Sequence, residues 1–140
     1  MKKIFILGQS LYEVVFAIGI AAIIITGVLV VSTTSVRNST YSKNNAQATK
    51  YAQEAIEWLR SERDASAWTI FAGYAGVERN LGDLNWASVN CTVGTTIFCR
   101  KTTLSIPSAD TVDALVTVSW DDAQGTHTVR SVSKFTNWNK

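Results

Sequence analysis

The chain has 140 residues, enough for one small domain, and 46% of them are hydrophobic but unevenly spread. The net charge is +2, and without Lys2 and Lys3 the 11 basic residues balance 11 acidic ones. No block of like charge marks a nucleic-acid or polybasic membrane surface. With one histidine, His127, and no nucleophile motif or metal-ligand cluster, there is little basis for a Ser-His-Asp or metal centre, so neither enzyme activity nor a cofactor is expected.

At the N-terminus two lysines precede an apolar run from Leu11 to Val31, interrupted by one charge, Glu13. A helix rises about 1.5 Å per residue, so about 20 residues cross a bilayer core, and this run is long enough. It contains no proline, and Gly19 and Gly27 can let a neighbouring backbone approach closely. A conventional secretory signal has a shorter apolar stretch ending in small residues, whereas here Ser-Thr-Thr-Ser-Val-Arg follows. Lys2 and Lys3 favour a cytoplasmic N-terminus, a bias weakened by Arg37 and Lys43 on the other side. A plain anchor does not explain Glu13: a carboxylate in an apolar segment is costly and by default marks function.

From Thr40 the pattern becomes amphipathic. Ala48, Ala52, Ala55, Ile56 and Leu59 form one stripe at helical spacing. Lys50 with Glu54, and Glu57 with Arg60, are spaced to pair on the wet face. No breaker interrupts Ser10 to Asp64, so one long helix is expected, half in the membrane and half in a head. Glu54, Glu57, Glu62 and Asp64 then lie on a solvated face rather than in an acid-base site.

Residues 65–87 read as a Gly- and aromatic-rich connector in which Trp68, Phe71, Tyr74 and Trp86 form a satellite core under a long loop. Gly73 and Gly76 make no phosphate loop, since no GKS or GKT follows. Beyond Ser88 the period becomes two. Ser88–Val93 and Thr96–Thr103 are expected as a hairpin about Gly94-Thr95, with Cys91 and Cys99 opposed within disulfide reach; the alternative is two unlinked buried thiols. Val112, Ala114, Val116, Val118 and Trp120 alternate with Asp113, Leu115, Thr117 and Ser119 as a half-buried strand. Asp121 to Gly125 is the turn, and Thr126 to Lys134 the returning strand, with His127 exposed on it. Asp121 and Asp122 alone are too few ligands for a 6–8-oxygen calcium site. The closing Phe135-Thr136-Asn137-Trp138 is expected to pack onto the head. A long helix followed by four antiparallel strands makes an α+β head.

Basic residues, then Gly8, a polar-to-apolar start, Glu13 as the fifth residue past that glycine, and an apolar helix: in this order they resemble the prepilin cleavage and methylation motif. Type IV pilins, minor pilins and the pseudopilins of type II secretion share that motif, and the α+β outline of the whole chain is similar to the pilin fold. The resemblance implies a leader of residues 1–8, cleavage between Gly8 and Gln9 by prepilin peptidase, and N-methylation of Gln9. It implies an assembly helix over residues 9–37 and a head over residues 38–140. It also implies that Glu13 pairs with the new amine of an adjacent subunit. Most of the family begin the mature chain with phenylalanine; glutamine here shifts the resemblance towards a minor pilin. The expected partners are prepilin peptidase, other pilin subunits and, before assembly, the cytoplasmic membrane, with the head on the exoplasmic side. Competing readings are a pseudopilin of a secretion or DNA-uptake machine, a membrane-anchored adhesin that never polymerises and, from another class, a membrane enzyme.

Overall fold

The computed structural model describes residues 11–138. Helix α1 covers Leu11–Ala65 and a short helix α2 covers Trp68–Ala72. Four strands follow: β1 (Glu78–Asn80), β2 (Cys99–Ser108), β3 (Thr111–Asp122) and β4 (Gly125–Thr136). The chain divides into two compact units, residues 1–42 and 43–140. The expected cleavage point, Gly8 and Gln9, lies outside the described residues.

In the first unit the helix is apolar on every side from Val14 to Val31. Leu11, Val15, Phe16, Ile18, Ile23, Val28 and Val31 are all exposed, and none of its most apolar window is buried within the chain. A core helix of a soluble protein would bury one face, so this segment is a candidate membrane span. Its threonine hydroxyls are satisfied within the helix. Thr26 donates to the carbonyls of Ala22 and Ile23, Thr33 and Thr34 both donate to Val30, and Thr40 donates to Val36. Such back-bonding is what a hydroxyl needs where no water is available.

In the second unit the stripe Ala48, Ala52, Ala55, Ile56 and Leu59 is buried as its spacing predicts. It faces a core formed largely by the sheet: Val112, Ala114, Val116, Val118 and Trp120 of β3, Leu104 of β2 and Phe135 of β4. Alanines on the helix let the backbone come close to branched and aromatic side chains on the strands, which interdigitate as dense cores require. The sheet is antiparallel in the order β1-β2-β3-β4. The buried and half-buried residues of β3 alternate along its length, as read from the sequence. The β3–β4 hairpin is in register from Asp122↔Gly125 to Thr111↔Thr136, longer than expected at both ends. Between Ser105 and Ser108 the β2–β3 register shifts. Pro107 lies there and has no N–H to give the ladder.

The expected hairpin of Ser88–Val93 with Thr96–Thr103 does not form. Its first arm makes only an isolated bridge, Thr92↔Cys99. The neighbour of β2 is instead β1, from the segment read as connector, through Glu78↔Thr103, Arg79↔Thr102 and Asn80↔Lys101. Local polar groups pull the Ser88 region away from a ladder. The Ser88 hydroxyl donates to the Asn90 carbonyl and accepts from the Asp83 N–H. The Asn80 side chain donates to the Val89 carbonyl. Short polar side chains offer such alternatives to sheet pairing.

The aromatic connector also differs from expectation: it joins the main core instead of forming a satellite. Phe71 of α2 is buried and meets Phe135 edge-on at 5.5 Å. Tyr74 stacks on Trp86 at 4.0 Å, and Trp86 meets Trp58 of α1 at 4.9 Å. These rings bind α2 and its flanking loops to α1 and β4, with each pair contributing about 0.5–1.5 kcal/mol beyond burial.

Candidate functional site: the Glu13 helix and the Arg100 cradle

On the candidate membrane span, Glu13 is exposed in the same helix as Leu11, Val14, Val15 and Phe16. The Tyr12 and Phe16 rings lie 6.3 Å apart at 20°. A Cβ added at Gly19 or Gly27 would meet nothing within 4 Å, so neither glycine serves packing within the described chain. The helix therefore offers apolar surface, two bare backbone patches and one carboxylate.

The head is organised around a residue that the sequence reading did not single out. Arg100 is only 2% exposed. Its Nε donates to the Leu81 carbonyl at 2.8 Å and its Nη2 to the Gly82 carbonyl at 3.1 Å. Its Nη1 donates to the Tyr51 carbonyl of α1 at 3.1 Å and lies 3.5 Å from the Glu54 carboxylate. Burial holds its pKa below the ordinary arginine value, and the Glu54 carboxylate works against that shift. Glu54 thus turns to β2, not to Lys50 along the helix; the Glu57–Arg60 pair forms as expected, at 2.7 Å. The available signal was strand parity. Arg100 shares the inward face of β2 with Thr102 and Leu104, and a charge at such a position needs partners.

Around this cradle the chain folds tightly. Gly82 donates to the Asn90 carbonyl, and a Cβ at Gly82 would come within 2.5 Å of the Thr92 carbonyl oxygen, so only glycine fits. Cys91 and Cys99 form a disulfide with Cα atoms 4.6 Å apart. The bridge forms although the register expected for it does not. The Arg100 N–H donates to the Cys91 carbonyl, so the disulfide and the cradle anchor the same loop. Replacing both cysteines with serine is expected to destabilise the head by about 2–3 kcal/mol, through loss of loop closure in the unfolded chain. Denaturant unfolding of oxidised wild type and the double variant measures this; equal midpoints and slopes would refute the contribution.

At the far end of the sheet, Asp121 and Asp122 serve the hairpin turn. Asp121 accepts from the Thr126 hydroxyl, and Asp122 accepts from the Gln124 N–H. His127 is half-buried rather than exposed: its ring stacks on Trp120 at 5.2 Å, and its Nε2 lies 2.9 Å from Asp122. Among the described residues no group of three His, Cys, Asp or Glu side chains is placed to hold a metal ion. Glu62 and Asp64 also have structural contacts: Glu62 accepts from the Trp86 indole N–H at 2.8 Å, and Asp64 pairs with Arg63 at 2.6 Å.

In comparisons with family models, curated proteins and solved structures, the chain matches none. The geometry itself defines the class: an α+β protein with a long N-terminal helix packed, through its second half, on a four-stranded antiparallel sheet. That is the pilin-like arrangement expected from the sequence, with a disulfide in the head and a candidate membrane span in the helix.

Proposed function

We propose that the chain is a structural subunit, a minor pilin, of a type IV pilus or related envelope filament. In this reading prepilin peptidase cuts between Gly8 and Gln9, Gln9 is N-methylated, and the helix carries the subunit from the cytoplasmic membrane into a bundle of like helices. The observation that carries the reading is Glu13, a carboxylate in a helix whose apolar surface is exposed on all sides and whose glycines pack against nothing in the described chain. A bundle of subunits would cover that surface. Close approach at Gly19 and Gly27 favours tight helix contacts, and the amine of a neighbouring Gln9 supplies the cation that a buried carboxylate requires. The disulfide suits a head exposed to an oxidising compartment.

Mass spectrometry of the mature chain, from cells with and without prepilin peptidase, tests the processing step. The expected N-terminus is methylated Gln9 with the peptidase and an uncut precursor without it. A bulky residue at Gly8 is expected to leave the precursor uncut in the membrane. A mature chain starting near Ser32, or one retaining Met1 in the presence of the peptidase, would refute the reading.

A further inference from the structure

Where α1 ends, its last turn, the residues leading into α2 and the C-terminal tail enclose a cleft of about 260 Å³. It is lined by Arg63, Asp64, Ser66, Trp68, Asn137 and Trp138, together with Ala67. None of these residues takes part in helix assembly or in the Arg100 cradle.

Two indoles give the cleft its character. Trp138 is 76% exposed, unusual for so large an apolar side chain. It is nevertheless held, because the Arg63 guanidinium sits 4.4 Å from the centre of its ring. Arg63 is itself fixed: its side chain is only 10% exposed, Nη1 bonds to Asp64 and Nη2 to the Thr136 carbonyl. Trp68 is half-buried, and its indole N–H is occupied by the Ala109 carbonyl at 3.0 Å. Both rings are thus anchored, and they offer aromatic surface that costs little conformational entropy to use. Between them lie a half-exposed carboxylate, a hydroxyl and an amide.

Charge narrows the ligand. Among the described residues, the cations around the cleft have carboxylate partners: Arg63 with Asp64, Arg60 with Glu57, and Lys134 with Asp113. A balanced lining favours neither a phosphate nor a quaternary ammonium ion. It suits a neutral molecule with an apolar face for an indole and several hydroxyls for Asp64, Ser66 and Asn137. The volume lies just below the roughly 300–1,000 Å³ of drug-sized sites, which fits one ring and not a chain. We infer that this cleft binds a neutral pyranose ring of a saccharide, stacked on Trp138 and hydrogen-bonded through Asp64 and Asn137. The inference concerns the head alone, and its test does not depend on filament assembly.

The test is saturation-transfer NMR of the full-length chain in a polyoxyethylene detergent, which carries no sugar. The panel comprises the methyl glycosides of glucose, galactose, mannose and N-acetylglucosamine, with inorganic phosphate and tetramethylammonium as controls. At least one glycoside is expected to bind saturably, with a Kd on the order of 1 mM, as suits a single small ring. Trp138→Ala is expected to weaken that binding at least tenfold, and Trp138→Phe to retain most of it. Asn137→Ala, which leaves the backbone bond to Asp110 in place, is expected to weaken it several-fold. An unchanged near-ultraviolet circular dichroism spectrum outside the indole lost shows that each variant is folded. The inference is overturned if no glycoside binds saturably or if Trp138→Ala binds as wild type does. It is also overturned if only phosphate or tetramethylammonium binds, the site then being one for an ion.

Discussion

Arg100→Met is expected to lower the melting temperature of the head by on the order of 15 °C. The side chain would keep its apolar stem and lose the fork that reaches three carbonyls and one carboxylate on two segments, α1 and the loop at Leu81 and Gly82. Replacing a whole buried ion pair with apolar groups is often neutral. Here, however, the main partners are the backbone carbonyls of Leu81, Gly82 and Tyr51, which no substitution removes. The Leu81 and Gly82 carbonyls belong to buried residues. An acceptor left without a donor costs about 1–3 kcal/mol, and three lose theirs together, whereas the Glu54 carboxylate, 41% exposed, is left to water. At about 4–8 °C per kcal/mol for a domain of this size, even the lower figure gives a large shift. Arg100→Lys is expected to fall between, because an ammonium keeps the charge near Glu54 but cannot span the same acceptors. Thermal unfolding of the full-length chain in detergent, followed by tryptophan fluorescence, measures both. A Met variant melting within a few degrees of wild type would show that water or local shifts satisfy the carbonyls, and that Arg100 does not organise the loop.

The contrast between Arg100 and the stripe on α1 shows what a sequence reveals and what it hides. Ala48, Ala52, Ala55, Ile56 and Leu59 recur with the helix period, and Val112 to Trp120 alternate with period two. Each pattern reports burial of one face of one element, so neighbouring residues suffice to read it. Strand β1 has no such pattern: Glu78, Arg79 and Asn80 are polar, and they are a strand because β2 supplies their partners. Strand character of that kind is set by context. The same holds for Ser88–Val93, where side-chain bonds to the backbone outcompete a ladder. Arg100 was hidden because its acceptors come from residues 51, 54, 81 and 82, a combination that only the folded chain creates. Glu13 was legible for the opposite reason. A single carboxylate in an apolar run is anomalous against its immediate neighbours, whatever the rest of the chain does.

Glu13→Leu is expected to leave membrane insertion intact and to abolish entry into filaments. In an isolated subunit, Glu13 sits near one end of the apolar segment, where a long side chain can reach interfacial water. Leucine there removes a cost of at most a few kcal/mol, so insertion is unchanged or improved. Assembly reverses the balance. In the proposed filament, neighbouring helices would cover the exposed surface of Leu11 to Val31 and bury the carboxylate together with the amine of an adjacent Gln9. Leucine then leaves the amine buried without a countercharge, a loss of about 3–5 kcal/mol at each contact. A contact repeated along a filament multiplies that loss, whereas a monomeric anchor never incurs it. In the proposed filament that pairing would also fix which neighbour each subunit meets, since a buried polar contact disfavours every register that leaves it unmade. Tagged wild type and variant, expressed together, are compared in the membrane fraction and in sheared surface filaments. Equal amounts in the membrane, equal cleavage at Gly8 and a variant missing from filaments would support the amine-carboxylate register. Equal recovery of both in filaments would show that Glu13 does not set register. Absence of wild type and variant alike, with the membrane pool intact, would make the chain an anchored protein that does not polymerise.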